Sequence, residues 1–259
     1  MSFFRSLGRS VHVAGYFVRY GTELLVKRPT TRQARADWLH RFCAAALKGL
    51  EISVAVTGNF PKRGAVISNH LSYVDIVVFA AVHPCVFVSK AEVASVPVLG
   101  WMTTMAGTVY VARGRGGSAI KAHKGMQAAS DAGLPVVFFP EGTTSNGSGL
   151  LKFHSGLLAQ AMGSGPITAA HIQYSLPEEP EENDEGVTVA NDVCWWGDAK
   201  MLLHIFKLLG LRGLRAELRF AEQPIAFSTD ELHRKQAAVE AQAAVASLGD
   251  VQEHRVLTA

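Results

Sequence analysis

The chain has 259 residues and a near-even balance of charge, 25 Lys and Arg against 22 Asp and Glu. Its 48% hydrophobic and 18% charged content exclude a disordered chain and allow one large domain or two small ones. Three cysteines without any C-x-x-C remove a disulfide framework and a zinc knuckle and favour a reducing compartment. The charge is unevenly placed. The first fifty residues hold nine Lys/Arg and two acids on a chain whose net charge is +3. A basic end on a near-neutral body points to an anionic surface, lipid or nucleic acid.

Residues 1–28 interleave Phe3, Phe4, Leu7, Val11, Val13, Tyr16, Phe17, Leu24 and Leu25 with arginines. Arg19 breaks the apolar stretch and no small-residue cleavage site follows, so a secretory signal is not expected. No run is long and charge-free enough to span a bilayer. The pattern predicts a basic amphipathic helix lying in a membrane interface, with aromatics at the acyl boundary and arginines among phosphates. The competing reading is an ordinary amphipathic helix packed on the domain. Thr31 to Leu50 predicts a second helix, with Trp38, Leu39, Phe42, Ala46 and Leu47 on one face.

Beyond residue 51, short β-branched and aromatic runs alternate with helical patterns. Strands are expected at Ile52–Thr57, Ala65–Ile67, Val86–Val88, Thr108–Val111, Val136–Phe139, Ile167–Tyr174, Val187–Cys194 and Leu214–Phe220. Helices are expected at Val74–Val82, Val98–Met105, Ser118–Ala132, Phe153–Met162, Lys200–Leu209 and Thr229–Leu248. This alternation predicts an α/β fold with a mostly parallel or mixed central sheet flanked by helices, behind the N-terminal amphipathic segment. Val93 to Ala112 is free of charge but is broken by Pro97, Gly100 and Gly107, so it reads as a buried helix followed by a strand. The six acids between Pro177 and Glu185 read as a solvated loop.

Three stretches carry chemistry. In Ser68-Asn69-His70-Leu71-Ser72-Tyr73-Val74-Asp75, a histidine and a carboxylate lie between a strand and a helix. Histidine accepts protons near neutral pH, and a carboxylate behind it can fix its tautomer. Five positions along one helix turn about 140°, so the pair can meet only if His70 is in the loop and Asp75 in the first helical turn. In Phe138-Phe139-Pro140-Glu141-Gly142-Thr143-Thr144-Ser145, a strand opens into a loop whose amides and hydroxyls suit a phosphate or an oxyanion. In Gly107 to Ser118, a strand leads Arg113 and Arg115 into a glycine-rich loop, and arginine forks match phosphate oxygens. A dinucleotide site is rejected there, because no acid ends the next strand. No Walker A, G-x-S-x-G or H-E-x-x-H occurs.

Together these stretches resemble the glycerolipid acyltransferase family typified by 1-acylglycerol-3-phosphate O-acyltransferase, across roughly residues 50–220. Asn69-His70-x4-Asp75 resembles its first block. Lys90-x-Glu92, Pro97, Gly100 and Gly107-x5-Arg113 resemble the second. Phe139-Pro140-Glu141-Gly142-Thr143 resembles the third, and Lys152-x3-Gly156 an element downstream. The resemblance implies that His70 is the general base, that Asp75 orients it, and that Arg113, Glu141, Gly142, Thr143 and Lys152 hold the acceptor. It implies direct transfer from acyl-CoA or acyl-carrier protein as co-substrate to a lysolipid, giving phosphatidic acid from 1-acylglycerol 3-phosphate. Another lysolipid, a lyso-amino-acid lipid or glycerol 3-phosphate is the alternative acceptor. No metal, no other cofactor and no nucleic-acid partner is implied, and the expected place is the cytoplasmic face of a membrane, peripheral or monotopic.

Two departures stand out: Thr144 where the family commonly has arginine, and Ala169 where it commonly has proline. Cys194-Trp195-Trp196-Gly197-Asp198 is similar to relatives acting on other lysophospholipids or amino-acid lipids. It reads equally well as an aromatic anchor with Asp198 capping a helix. The expected division is residues 1–50 as the basic helical segment, 51–222 as the acyltransferase domain and 223–259 as a helical tail.

Overall fold

The computed structural model describes residues 2–112, 118–177, 186–228 and 233–249. Two long helices come first, α1 (Phe3–Lys27) and α2 (Arg32–Leu50). Thr31 Oγ1 accepts from the Ala34 N–H and caps α2. The hairpin closes on Trp38, whose Nε1–H donates to Tyr20 O at 3.1 Å and whose ring stacks on Phe42. Two of the arginines expected among phosphates are turned inward instead. Arg5 donates to Gly210 O at 2.9 Å, and Arg9 donates to Leu209 O at 3.3 Å, to Leu211 O and to the Glu51 carboxylate. They satisfy carbonyls that a helix C-terminus leaves open.

The body follows as β1 (Ser53–Thr57), β2 (Ala65–Ile67), α3 (Val74–Val82), β3 (Val86–Lys90), α4 (Leu99–Met105), β4 (Val109–Val111), α5 (Ser118–Asp131) and β5 (Val136–Phe138). It continues with α6 (Ser155–Met162), β6 (Ile167–Ser175), α7 (Met201–Leu209), β7 (Arg215–Phe220) and α8 (Arg234–Gly249). The strands form one mixed sheet in the order β1-β7-β6-β2-β5-β3-β4. Every neighbouring pair is parallel except β6 and β7. The middle strands β2 and β5 are unbroken apolar runs because helices cover both their faces. Val66, Ile67, Val137 and Phe138 are fully buried, each worth roughly 1.5–3 kcal/mol of burial. Cys43, Leu47, Val78, Phe79 and Leu208 pack on one face; Met126, Leu158, Ala241 and Val245 pack on the other. The small alanines of α8 let it lie close against the sheet, and Arg219 ties its end by donating to Leu248 O.

Two expectations are corrected here. Val187–Cys194 is not a strand. Thr188 Oγ1 accepts from Asn191 N–H while Asp192 Oδ2 accepts from Thr188 N–H, and this reciprocal cap winds Val189–Val193 into one wide helical turn. The uncharged stretch from Val93 is not a wholly buried element. Gly100, Met102, Ala106 and Val109 are buried, but Val96, Val98, Leu99 and Trp101 keep 36% or more of their surface exposed. Gly100 has no room for a side chain, since a Cβ there would collide with Ala94 O. The expected loop across residues 178–185 and the start of the last predicted helix at 229–232 lie outside the described residues.

Candidate active site

The register of the two central strands builds the site. Ile67 of β2 pairs with Phe138 of β5, and the strands are parallel, so both chains leave the sheet at the same edge. Three residues past each partner stand His70 and Glu141. The backbone N–H of His70 donates to Glu141 Oε1 at 3.0 Å, and the second oxygen accepts from Leu151 N–H at 3.2 Å. Ser145 N–H closes the other side by donating to His70 O at 2.9 Å. Strand β6, on the opposite flank of β2, runs past its end. Asn69 bridges the gap with its amide, donating to Ile172 O and accepting from Ile172 N–H, at 2.9 and 2.8 Å. A buried side chain thus continues the ladder where β2 stops.

The chain bends between His70 and Asp75 as the spacing requires. Asp75 occupies the first turn of α3 and is fully buried. Its Oδ2 lies 2.7 Å from His70 Nδ1 and accepts from Leu71 N–H at 2.7 Å and Ser72 N–H at 3.0 Å. Its Oδ1 accepts the hydroxyl proton of Tyr174, on β6, at 2.6 Å. Four donors converge on one carboxylate, so the ionised form fits. The imidazole then carries its proton on Nδ1 and leaves Nε2 as the basic nitrogen. The ring lies flat on Phe139, with centroids 4.0 Å apart and planes 7° apart, and 16% of its surface stays accessible. A fixed tautomer, a buried counter-charge and an accessible ring are what proton abstraction at Nε2 requires.

Burial pushes the Glu141 carboxyl up to about 7. The donors at His70 and Leu151 oppose that rise, and the charge of Asp75 adds to it. Only 2% of Glu141 is exposed, and both its oxygens serve the backbone. Burial also drives the Tyr174 hydroxyl well above its ordinary value, with Asp75 adding to the shift, so it stays a donor.

Of the other residues named from the sequence, Gly142 sits at φ 67°, a left-handed conformation that favours glycine, and its N–H donates to Phe139 O. Thr143 and Lys152 are exposed beside this turn. The amides of Gly142 and Ser145 are therefore engaged with the chain itself and are not an open anion cradle. Arg113 and Arg115 lie outside the described residues. Asp198 does not cap α7; Lys200 is its N-cap residue.

Sequence reasoning missed several groups. Tyr174 is one, although a buried tyrosine in an apolar strand calls for a hydroxyl partner. Another is a brace behind the His70 loop. Leu71 O accepts from Trp195 N–H at 2.8 Å. Tyr73 and His204 of α7 meet at 3.0 Å, and His204 Nε2 lies 3.0 Å from Cys194 O. The carbonyl demands a proton on Nε2, so Nδ1 accepts from the Tyr73 hydroxyl. Burial lowers the His204 pKa, in keeping with this neutral ring.

Comparison with known proteins adds the family. Residues 52–174 match the family model described as Acyltransferase. A lyso-ornithine lipid O-acyltransferase of Pseudomonas aeruginosa is 34% identical over 220 residues, covering 84% of this chain and 78% of that protein. A 1-acyl-sn-glycerol-3-phosphate acyltransferase of Neisseria meningitidis is 34% identical over 178 residues, covering 67% and 69%. A second lyso-ornithine lipid O-acyltransferase, from Rhodobacter capsulatus, is 32% identical, covering 80% and 72%. The crystal structure of the 1-acyl-sn-glycerophosphate acyltransferase of Thermotoga maritima superposes with a TM-score of 0.64 at 18% identity, covering 96% of this chain and 95% of that one, which shows a shared fold. With its helix-flanked mixed sheet and its matched relatives, this chain belongs to the acyltransferase family.

Proposed function

We propose that this enzyme moves a fatty acyl group from an acyl thioester, acyl-CoA or acyl-carrier protein, to the free hydroxyl of a lysolipid, with His70 as general base. One observation carries this reading: Nδ1 of His70 is held by the buried Asp75, which leaves Nε2 to take a proton. As Nε2 takes the hydroxyl proton, the acceptor oxygen attacks the thioester carbonyl. The tetrahedral centre collapses, the carbon–sulfur bond breaks, and the thiol leaves with the proton from Nε2. The reactants are already activated, so positioning and a base suffice. In this reading Asp75 and Glu141 position the base, and Gly142, Thr143, Lys152 and Arg113 border the acceptor. No cofactor beyond the co-substrate is needed.

For the acceptor, a lyso-ornithine lipid is the reading supported best. The relatives covered most fully carry that name, and the loop Gly142–Gly149 holds no cation for a phosphomonoester, with Thr144 in place of arginine. A second reading, 1-acylglycerol 3-phosphate, draws support from the Neisseria relative and from the exposed Lys152. The reaction belongs at the cytoplasmic face of a membrane. Among the described residues no helix is long and apolar enough to cross one, while Phe4, Val11, Val18 and Leu25 form an exposed stripe along α1.

The test is direct. Purified full-length chain is incubated with labelled acyl-CoA and a mixed panel of lysolipids, and the products are read by mass. Diacylated ornithine lipid should dominate, and His70→Ala should lower the rate by roughly 10²–10⁴ while staying folded, at a cost of about 1–3 kcal/mol for the donor lost to Asp75. Undiminished transfer in His70→Ala would falsify the mechanism, and a phosphatidic acid product would select the second acceptor.

A further inference from the structure

Helix α7 leaves its apolar side open. Leu202 is 81% exposed and Leu203 is 56% exposed, side by side at the start of the helix. Isolated exposed leucines need no explanation, but these two are not isolated. Phe206, one turn on, packs on Phe3 of α1 at 5.6 Å, and Phe3 meets Phe4 edge to face at 5.9 Å. Phe3 and Phe4 are themselves 63% and 83% exposed. The apolar surface of the α1 stripe therefore runs on across α7. The charges around it are mostly positive: Lys200 at the N-cap and Lys207 are exposed and α7 contains no acid, against one exposed acid, Asp198, on the segment before it. Aliphatic side chains rimmed by ammonium groups complement a lipid surface bearing anionic phosphates.

The same helix holds the catalytic loop from behind. His204, next to Leu203, accepts from Tyr73 three residues past His70, and Trp195, on the segment entering α7, donates to Leu71 O. Resting on the acyltransferase reading above, we propose that α7 is a lipid-inserting element of its own, which docks Leu202 and Leu203 into the acyl boundary of an anionic membrane beside the N-terminal end of α1. Docked this way, the membrane lies against the helix that braces the His70 loop, and a lysolipid reaches the base without leaving the interface.

The test uses the full chain and vesicles of phosphatidylglycerol and phosphatidylcholine in equal parts. The double variant Leu202→Glu/Leu203→Glu should lose vesicle binding by about tenfold or more, since the aliphatic burial is replaced by charge of the wrong sign. The KM for an acceptor presented in vesicles should rise in step, while kcat for a short-chain, water-dispersed acceptor stays at the parent value. Leu202→Trp reports insertion separately: its emission should shift to the blue on vesicles and be quenched by lipids brominated in their acyl chains. Parent-like vesicle binding by the double variant, or a Leu202→Trp emission that neither shifts nor quenches, overturns the proposal. So does a lipid-free dimer of the parent that the double variant dissociates, because a second copy would then own this surface. Binding and quenching need no acyl transfer, so they stand or fall apart from the acyltransferase reading.

Discussion

Two loops leave neighbouring parallel strands at the same sheet edge, and they are built in opposite ways. The loop after β2 is bonded along its length. Asn69 extends the sheet, His70 is held at its N–H, its carbonyl and its ring, and Asp75 collects four donors. The loop after β5 starts the same way, with Glu141 buried, and then turns outward. Thr143, Gly147 and Ser148 are exposed, and Asn146 and Ser145 bond only to their near neighbours through their side chains. The first loop fixes the imidazole of His70 from several sides; the second bonds mostly within itself and leaves Thr143 at the surface. Under the proposed function the first loop holds the base and the acceptor meets the second, so substrate preference could change without disturbing His70.

Breaking the rigid loop should cost most. Asp75→Ala strips the acceptor from His70 Nδ1–H, two backbone N–H groups and the Tyr174 hydroxyl together. A loss of about 3–5 kcal/mol in denaturant unfolding is expected, with a rate drop of roughly 10²–10⁴. A variant that melts and turns over like the parent would show the network to be idle. Tyr174→Phe is a finer cut, since it removes one donor from a buried anion and keeps the ring. It should cost about 1–3 kcal/mol and lower kcat by about tenfold with KM unchanged. A change confined to KM would place Tyr174 with the acceptor instead.

Glu141 joins the loops, and pH tests it. Its carboxyl titrates near the ordinary 4.5 when unfolded and near 7 when folded. The folded chain then holds the proton more tightly. This contribution is complete below about 4.5 and is lost as pH rises towards 7. The unfolding free energy of the parent should therefore fall relative to that of Glu141→Gln across this window. A difference that stays level would mean that the two backbone donors keep Glu141 ionised in the fold throughout. The smallest effect is expected in the open loop. Thr144→Arg adds a cation and should shift kcat/KM towards a phosphate-bearing acceptor by about fivefold, with the melting temperature unchanged. An unchanged preference across the lysolipid panel would move acceptor choice away from this loop.

The sequence exposed the rigid loop more readily than the open one, for physical reasons. Ala65–Ile67 and Val136–Phe138 are continuous apolar runs, which suits strands covered on both sides. His70 and Asp75 could meet only through a bend, which is what the chain makes. What joins them to their surroundings depends on sheet order. Tyr174 reaches Asp75 because β6 lies beside β2, although 99 residues separate the two, and no local pattern encodes that adjacency. Val187–Cys194 misled because β-branched residues invited a strand, whereas the Thr188 and Asp192 side chains took the backbone partners a strand needs. The basic N-terminal end misled in part because charge was counted without geometry: Arg5 and Arg9 serve carbonyls of the α7 terminus.

That last arrangement ties the amino end, through α7, to the loop that carries His70. Arg5 and Arg9 clasp the end of α7, α7 carries His204, His204 receives Tyr73, and Tyr73 belongs to the loop of the base. Clipping the first ten residues to obtain a protein free of detergent would also slacken the far anchor of His70. A sluggish trimmed enzyme would then report lost mechanical support as much as lost contact with lipid, and free arginine or guanidinium at modest concentration, but not simple salt, should restore part of its rate.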